Sequence, residues 1–325
     1  KKSQKRSYYI CRHFRSEIMI GQEKHPFTNL CIFFLFFTVG FFISQFFTIL
    51  LLFPFLGKQV FALSQILASP KDFPEYRYVL LFIQGFSSFV LMIITPWLFI
   101  NYYYRGKINF LGNIPQPLFF FLTALLVIVA MPFNGWIAEI NQNMQLPEFL
   151  EGIERWMTEK EEEIKVLTEY LTDLKSPVDF LVGLLVIAVI PAIGEELIFR
   201  GIIQNNLRAW LKNNHAAIWI AAIIFSAIHL QFYGFIPRVL LGALFGYIYM
   251  WTGNLLVPIF AHFVNNGLTL YLIYLKNMKA IDIDLDSAKD IPWALILFSG
   301  IFSTALLLFF KMELNRRNHI SPEEI

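Results

Sequence analysis

Residues 188–204 read AVIPAIGEELIFRGIIQ, a hydrophobic run that carries two adjacent carboxylates, Glu195 and Glu196, and a guanidinium, Arg200. An unpaired charge in hydrocarbon costs about 2.5–3.5 kcal/mol on insertion scales. Three charges within six residues must therefore pair with one another, face a wet cavity, or both. Helix geometry sorts them: at about 100° per residue, Arg200 falls roughly 40° from Glu196 but roughly 140° from Glu195. Glu196 and Arg200 read as an i,i+4 ion pair, and Glu195 is left without a partner in its own helix. Two later apolar stretches hold lone polar groups, His229 in FSAIHL and His262 with Asn266 in HFVNN. Phe225 and His229 share a helix face, as do His262 and Asn266.

One carboxylate, two imidazoles and one amide on three successive apolar helices suit hydrolysis of an amide bond. That reaction needs an activated water and a group that stabilises the developing oxyanion. Burial disfavours the charged form of a carboxylate, which suits Glu195 as the general base. His229 could share the water and its proton, while His262 and Asn266 could donate to the oxyanion. A second reading uses the same atoms as zinc ligands, because two histidines, one carboxylate and a water form a catalytic zinc set. Glu195, His229 and His262 would be the ligands. The sequence has no H-E-x-x-H, and the metal-free reading is the preferred one. Taken singly, each residue also has a structural reading: His229 as a packed histidine, Asn266 as glue between helices, and Glu196 with Arg200 as a buried brace.

Three motifs appear in a fixed order: Glu-Glu-x-x-x-Arg at Glu195, Glu196 and Arg200, Phe-x-x-x-His at Phe225 and His229, and His-x-x-x-Asn at His262 and Asn266. In these the sequence resembles the CPBP (abortive-infection-like) intramembrane proteases, which include the type II CAAX prenyl endopeptidases and bacteriocin-processing proteins. The resemblance covers about residues 177–274. It implies that Glu195 and His229 act on the water and that His262 and Asn266 form the oxyanion hole. Glu196, Arg200 and Phe225 would support them from behind.

These residues must be positioned by helices that cross a bilayer. The chain is 57% hydrophobic and 17% aromatic, with 36 phenylalanines and a mean hydropathy of +0.56. That is the composition of an all-α integral membrane protein. Apolar runs long enough to span number about eight: 27–56, 78–100, 118–137, 178–211, 216–232, 236–251, 255–275 and 293–311. Residues 1–26 form a basic tail in which Lys1, Lys2, Lys5, Arg6, Arg12, Arg15 and Lys24 outweigh Glu17 and Glu23. A span follows directly, so the tail suits a cytoplasmic lipid surface, and no nucleic-acid partner is expected. Arg105, Lys107, Arg208, Lys212, Lys311, Arg316 and Arg317 fall on the same side, which predicts cytoplasmic termini, for instance in a bacterial inner membrane. Cys11 and Cys31 make neither a disulfide framework nor a cysteine metal site.

The membrane domain then occupies 27–312, with a protease core at about 177–275 and a C-terminal tail at 313–325. One long loop, 139–176, carries Leu150, Ile153, Met157, Ile164, Leu167, Leu171 and Leu174 at three-four spacing. It predicts an amphipathic surface helix over about 147–175. Gly242 and Gly246 form a G-x-x-x-G suited to close helix packing, and Pro258 is expected to kink the helix before His262.

The expected partners are the lipid bilayer and a membrane-associated peptide substrate. A proton-coupled transporter is an alternative function, since intramembrane Glu and His also form relays. A non-catalytic scaffold is another. Depth poses a difficulty: counted at 1.5 Å per residue, Glu195 falls near the cytoplasmic end of its span and His229 near the other. The two agree only if the fourth helix starts early, runs past the bilayer at its Arg208–Lys212 end, or bends at Pro191.

Overall fold

The computed structural model describes residues 24–105, 110, 112, 115–282, 289 and 291–319. Most of the basic tail, including Cys11, and the end of the C-terminal tail lie outside the described residues. Among the described residues the chain is helical with no strand. The helices are α1 (Pro26–Leu56), α2 (Pro74–Tyr103), α3 (Pro117–Gln142), α4 (Glu151–Leu171), α5 (Pro177–Leu211), α6 (Asn214–Ala227), α7 (Phe235–Thr252), α8 (Leu256–Asn277) and α9 (Trp293–His319). All but α4 and α6 are long and apolar enough to cross a membrane, and the chain is an integral multi-pass membrane protein. The fifth expected span is shorter than the sequence suggests. At 14 residues, α6 rises only about 21 Å, because Leu230 turns the chain into a left-handed conformation.

Polarity is arranged inside out relative to a water-soluble bundle. On α1 the buried positions are Asn29, Phe33, Gly40, Ser44, Thr48 and Leu52, whereas Phe34, Phe42 and Phe46 are more than 60% exposed. Small and polar residues face neighbouring helices, where they allow close approach and hydrogen bonding, and large apolar ones face lipid. Asn29 accepts from the Tyr103 hydroxyl of α2 at 2.7 Å and donates to Asn206 of α5 at 3.3 Å. On α3 the Asn141 side chain donates to the Phe232 carbonyl at 3.2 Å and accepts from the Ile236 N–H at 2.8 Å.

The helix that carries the charges is the longest buried element. α5 has 35 residues, about 50 Å at 1.5 Å per residue, against a hydrocarbon core of about 30 Å. Glu195 stands 18 residues after Pro177 and 16 before Leu211, at mid-helix. The segments Leu184–Val189 and Leu197–Gln204 are π-helical. The first widens the turn just ahead of Pro191, whose ring and missing N–H would otherwise break the ladder. Pro258 imposes no kink, because it lies in the first turn of α8, where a missing N–H costs nothing.

The amphipathic helix α4 forms over 151–171 and lies across one end of the bundle. Its Tyr170 hydroxyl donates to the Phe73 carbonyl at 2.6 Å, Lys71 pairs with Glu169 at 2.9 Å, and Trp156 stacks on Phe232. At the same end the Asp179 carboxylate gathers the Arg77 guanidinium, the Tyr78 and Ser176 hydroxyls and the Lys175 backbone N–H. Asp179 thereby ties the starts of α2 and α5.

Glycine decides how closely α2 approaches the reactive stretch. A Cβ on Gly194 would lie 2.4 Å from Met92 Cβ and 3.0 Å from the Met92 carbonyl oxygen. Gly194→Ala is therefore expected to push α2 off α5, at a cost of about 1–3 kcal/mol, and to lower the unfolding temperature in detergent. Unfolding unchanged from the parent would show that the two helices do not meet there.

Candidate active site

The site is built where α5, α6, α7 and α8 meet. Arg200 is 1% exposed and Glu196 fully buried, and Arg200 Nη1 donates to Glu196 Oε1 at 2.7 Å. Arg200 Nη2 donates to the Gly242 carbonyl of α7, also at 2.7 Å. Its guanidinium stands over the rings of Phe225 and Phe245, 5.1 and 5.6 Å from their centroids. One turn on, Gln204 Nε2 donates to the Gly246 carbonyl at 3.1 Å. Two side chains four residues apart on α5 thus bind two carbonyls four residues apart on α7.

The glycines of G-x-x-x-G let α7 approach its neighbours closely, Gly246 against α5 and α6 and Gly242 against α6. A Cβ on Gly246 would lie 2.8 Å from Gln204 Oε1, and one on Gly242 would lie 3.1 Å from Ala222 Cβ. Gln204 was not singled out from the sequence. Its spacing from Arg200, matched to that of Gly242 and Gly246, is the signal that would have found it.

Glu196 also holds His262. Its Oε1 lies 2.9 Å from His262 Nδ1, and the imidazole packs against Phe245 and Phe225 at centroid distances of 5.4 and 6.1 Å. The other ring nitrogen, Nε2, lies 3.7 Å from Glu195 Oε2. Glu195 makes no hydrogen bond among the described residues, and its side chain is 12% exposed. Glu196 Oε1 thus meets both Arg200 and His262 while its Oε2 is buried without a hydrogen-bond partner, and Glu195 has neither of these structural partners within hydrogen-bond distance.

His229 follows the end of α6. Its Nδ1 lies 2.7 Å from the Phe225 carbonyl oxygen, and its ring stands edge-on to Phe225 at 5.0 Å. Phe225 therefore touches Arg200, His229 and His262 together. A carbonyl oxygen can only accept, so the His229 proton sits on Nδ1 and the neutral ring presents a bare Nε2. The same reasoning applies to His262, whose Nδ1 faces the Arg200-paired carboxylate of Glu196. As a neutral ring it offers Glu195 a lone pair, and only the imidazolium could donate from Nε2.

Asn266, one turn beyond His262, donates to the Ile187 carbonyl of α5 at 3.5 Å and accepts from Asn265 at 3.1 Å. No hydrogen bond joins it, or His229, to Glu195. The structure thus brings Glu195, Glu196, Arg200, Phe225 and His262 into one cluster, sets His229 against its edge, and places Asn266 one turn away.

Among the described residues no three His, Cys, Asp or Glu side chains come together as metal ligands. Glu195 and His262 approach each other on the Nε2 side of the ring, Glu196 lies on its Nδ1 side, and His229 packs against Phe225.

Comparison with known proteins adds a family. The family described as type II CAAX prenyl endopeptidase Rce1-like has a model that matches residues 177–268. That stretch is similar to the Rce1-like family. It runs from the start of α5 into α8 and contains every residue of the cluster. The uncharacterized protein YpbD of Bacillus subtilis (strain 168) is 38% identical over 77 residues, covering 22% of this chain and 36% of that protein. The match spans about a third of the length of this curated relative. No solved structure matches the chain.

Within residues 177–268, removal of Glu196 should be severe. Glu196→Ala leaves Arg200 buried without a counter-charge and His262 without its anchor, a loss of about 3–5 kcal/mol. Thermal unfolding in detergent micelles should show a large drop for Glu196→Ala and a smaller one for Glu196→Gln, which keeps the acceptor. Equal stability of Glu196→Ala and the parent would remove the brace from the account.

Proposed function

We propose that the protein is an intramembrane endopeptidase that hydrolyses peptide bonds of membrane-associated substrates without a metal. The observation that carries this reading is Glu195, a mostly buried carboxylate with no hydrogen-bonded partner, facing the Nε2 of an oriented His262. In the proposed reaction Glu195 takes a proton from water as the water oxygen bonds to the scissile carbonyl carbon. His229, with its bare Nε2, helps to hold the water. The carbonyl oxygen becomes an oxyanion that receives hydrogen bonds from the Asn266 amide and from His262, which enters the reaction as imidazolium beside the Glu195 carboxylate and donates from Nε2 to the oxyanion once Glu195 has taken the water's proton. The C–N bond then breaks, the proton passes from Glu195 to the leaving amine, and carboxylate and amine depart.

Glu196, Arg200 and Phe225 position the reacting groups rather than touch them. The protease core is the segment 177–275, and CAAX-type prenylated peptides are one substrate class consistent with the similarity to the Rce1-like family. Orientation follows the basic residues: Arg105, Lys107, Arg208 and Lys212 have no acidic neighbour in their connections, whereas the connection 139–176 holds ten acidic and four basic residues. This reading puts both termini on the cytoplasmic face of a bacterial inner membrane.

The test is cleavage of a membrane-peptide library, including a farnesylated Cys-terminal peptide, by the purified protein in detergent. Glu195→Gln and His229→Ala should lower the rate by about 10²–10⁴-fold, the range for loss of general acid–base catalysis. Activity of Glu195→Gln equal to the parent's would end the assignment of that base. Loss of activity on chelation, restored by zinc, would replace the metal-free mechanism, and proton-coupled uptake by vesicles without proteolysis would favour a transporter.

A further inference from the structure

At the end of the bundle where α5 begins, a polar cavity of about 1300 Å³ lies beneath α4. Binding pockets for small molecules run to about 300–1,000 Å³, so this one has room for a stretch of peptide. Its walls include Lys71, Glu161, Asp179, Gln231, Thr269 and Lys276. Charged groups of both signs line it, which makes it a wet space rather than a pocket for acyl chains. α4 is fixed over it by further contacts: Thr158 Oγ1 lies 2.8 Å from the Tyr233 hydroxyl, and Glu161 Oε2 accepts the Tyr233 N–H at 3.4 Å.

The cavity reaches inward along two elements that also carry the site. On α8, Thr269 lies seven residues after His262, two turns along the same face, with half-buried Asn265 and Asn266 between them. Thr269 is exposed although it lies well inside a helix long enough to span, and the space it meets is this cavity. Gln231 comes two residues after His229, and it accepts from Arg238 of α7 through its side-chain oxygen at 2.8 Å and its carbonyl at 3.3 Å. The cavity lining thus includes one residue two turns from His262 on α8 and another two residues from His229, and the polar side chains Asn265 and Asn266 lie between the cavity and His262 along α8.

We propose that this cavity is the passage by which water and the polar flank of a substrate reach the Glu195–His262 pair, entering at the α4 end of the bundle. The inference rests on the protease reading and narrows its substrate class. The cleaved bond adjoins a hydrophilic juxtamembrane segment on the face opposite Arg208 and Lys212, which the orientation proposed above makes extracytoplasmic.

Cysteine accessibility decides it. In full-length protein carrying Cys11→Ser and Cys31→Ser, single cysteines are placed by Glu159→Cys on α4, Lys276→Cys at the cavity mouth, Thr269→Cys at its floor and Leu211→Cys at the opposite end of α5. Sealed vesicles of either orientation are treated with a membrane-impermeant thiosulfonate. The expected result is that Thr269→Cys and Lys276→Cys react from the face that labels Glu159→Cys, and Leu211→Cys only from the other. Attachment of a bulky reagent at Thr269→Cys should abolish cleavage. The proposal is overturned if Thr269→Cys is unreactive, reacts only from the Leu211→Cys face, or keeps the parent's cleavage rate when modified. Should the unmodified protein cleave no peptide, the protease reading fails on its own, and the labelling pattern still decides whether the passage exists.

Discussion

Arg200 is the side chain on which the rest of the arrangement depends. A guanidinium at the middle of a spanning helix is tolerated only if every face of it is satisfied, because hydrocarbon supplies no compensation. Here one nitrogen takes Glu196, a second takes the Gly242 carbonyl, and two aromatic rings cover the flat faces. Meeting those demands fixes the neighbours. α7 must come close enough to offer a backbone oxygen, and α6 must present Phe225 beside it, where Gly242 leaves room for Ala222 and Phe225 against α7. Glu196 must turn away from Glu195. The reactive carboxylate gains its isolation as a by-product of its neighbour's engagement.

The brace also explains why the imidazole of His262 has a defined direction. Glu196 Oε1 accepts from Arg200 and lies against His262 Nδ1 with the same oxygen. The charge that neutralises Arg200 therefore also sets the ring's tautomer. A histidine packed only among apolar helices would have no such preference. The chain of dependence runs from Arg200 to Glu196, to His262, to the nitrogen that faces Glu195. Each link is a short contact between different helices or successive turns, so loosening any of α5, α7 or α8 would blur the last one.

Much of this was legible in the sequence because charges in an apolar run are rare and helix periodicity sorts them. The Glu196–Arg200 pair, the separate direction of Glu195 and the spacing of Phe225 from His229 all follow from residue type and 3.6-residue repetition. What was not legible depends on contacts between helices. Nothing in residues 242–246 says which side chain uses their carbonyls, and nothing in HFVNN says that His262 will lie against Glu196. The end of α6 was not legible because Ile228, Leu230 and Phe232 carry apolar side chains past Ala227 around His229 and Gln231, while the left-handed turn at Leu230 has no glycine to announce it. The extent of α5, by contrast, was legible: its apolar run predicts 178–211 and the helix spans Pro177–Leu211.

Anchoring both histidines through Nδ1 has a consequence for how protons can move. In their neutral forms His229 and His262 each present a bare nitrogen, so neither can donate a hydrogen bond from that atom until it has accepted a proton. Glu195 faces one of these nitrogens at 3.7 Å, a separation at which direct transfer gives way to transfer through an intervening water. A site with one carboxylate and two lone pairs is rich in acceptors and poor in donors. In the hydrolysis proposed above, the water's proton goes to Glu195 as the oxyanion forms, which leaves that side chain neutral. The cation that faces the oxyanion is therefore an imidazolium at His262 formed before attack, and its proton on Nε2 is the donor the site otherwise lacks.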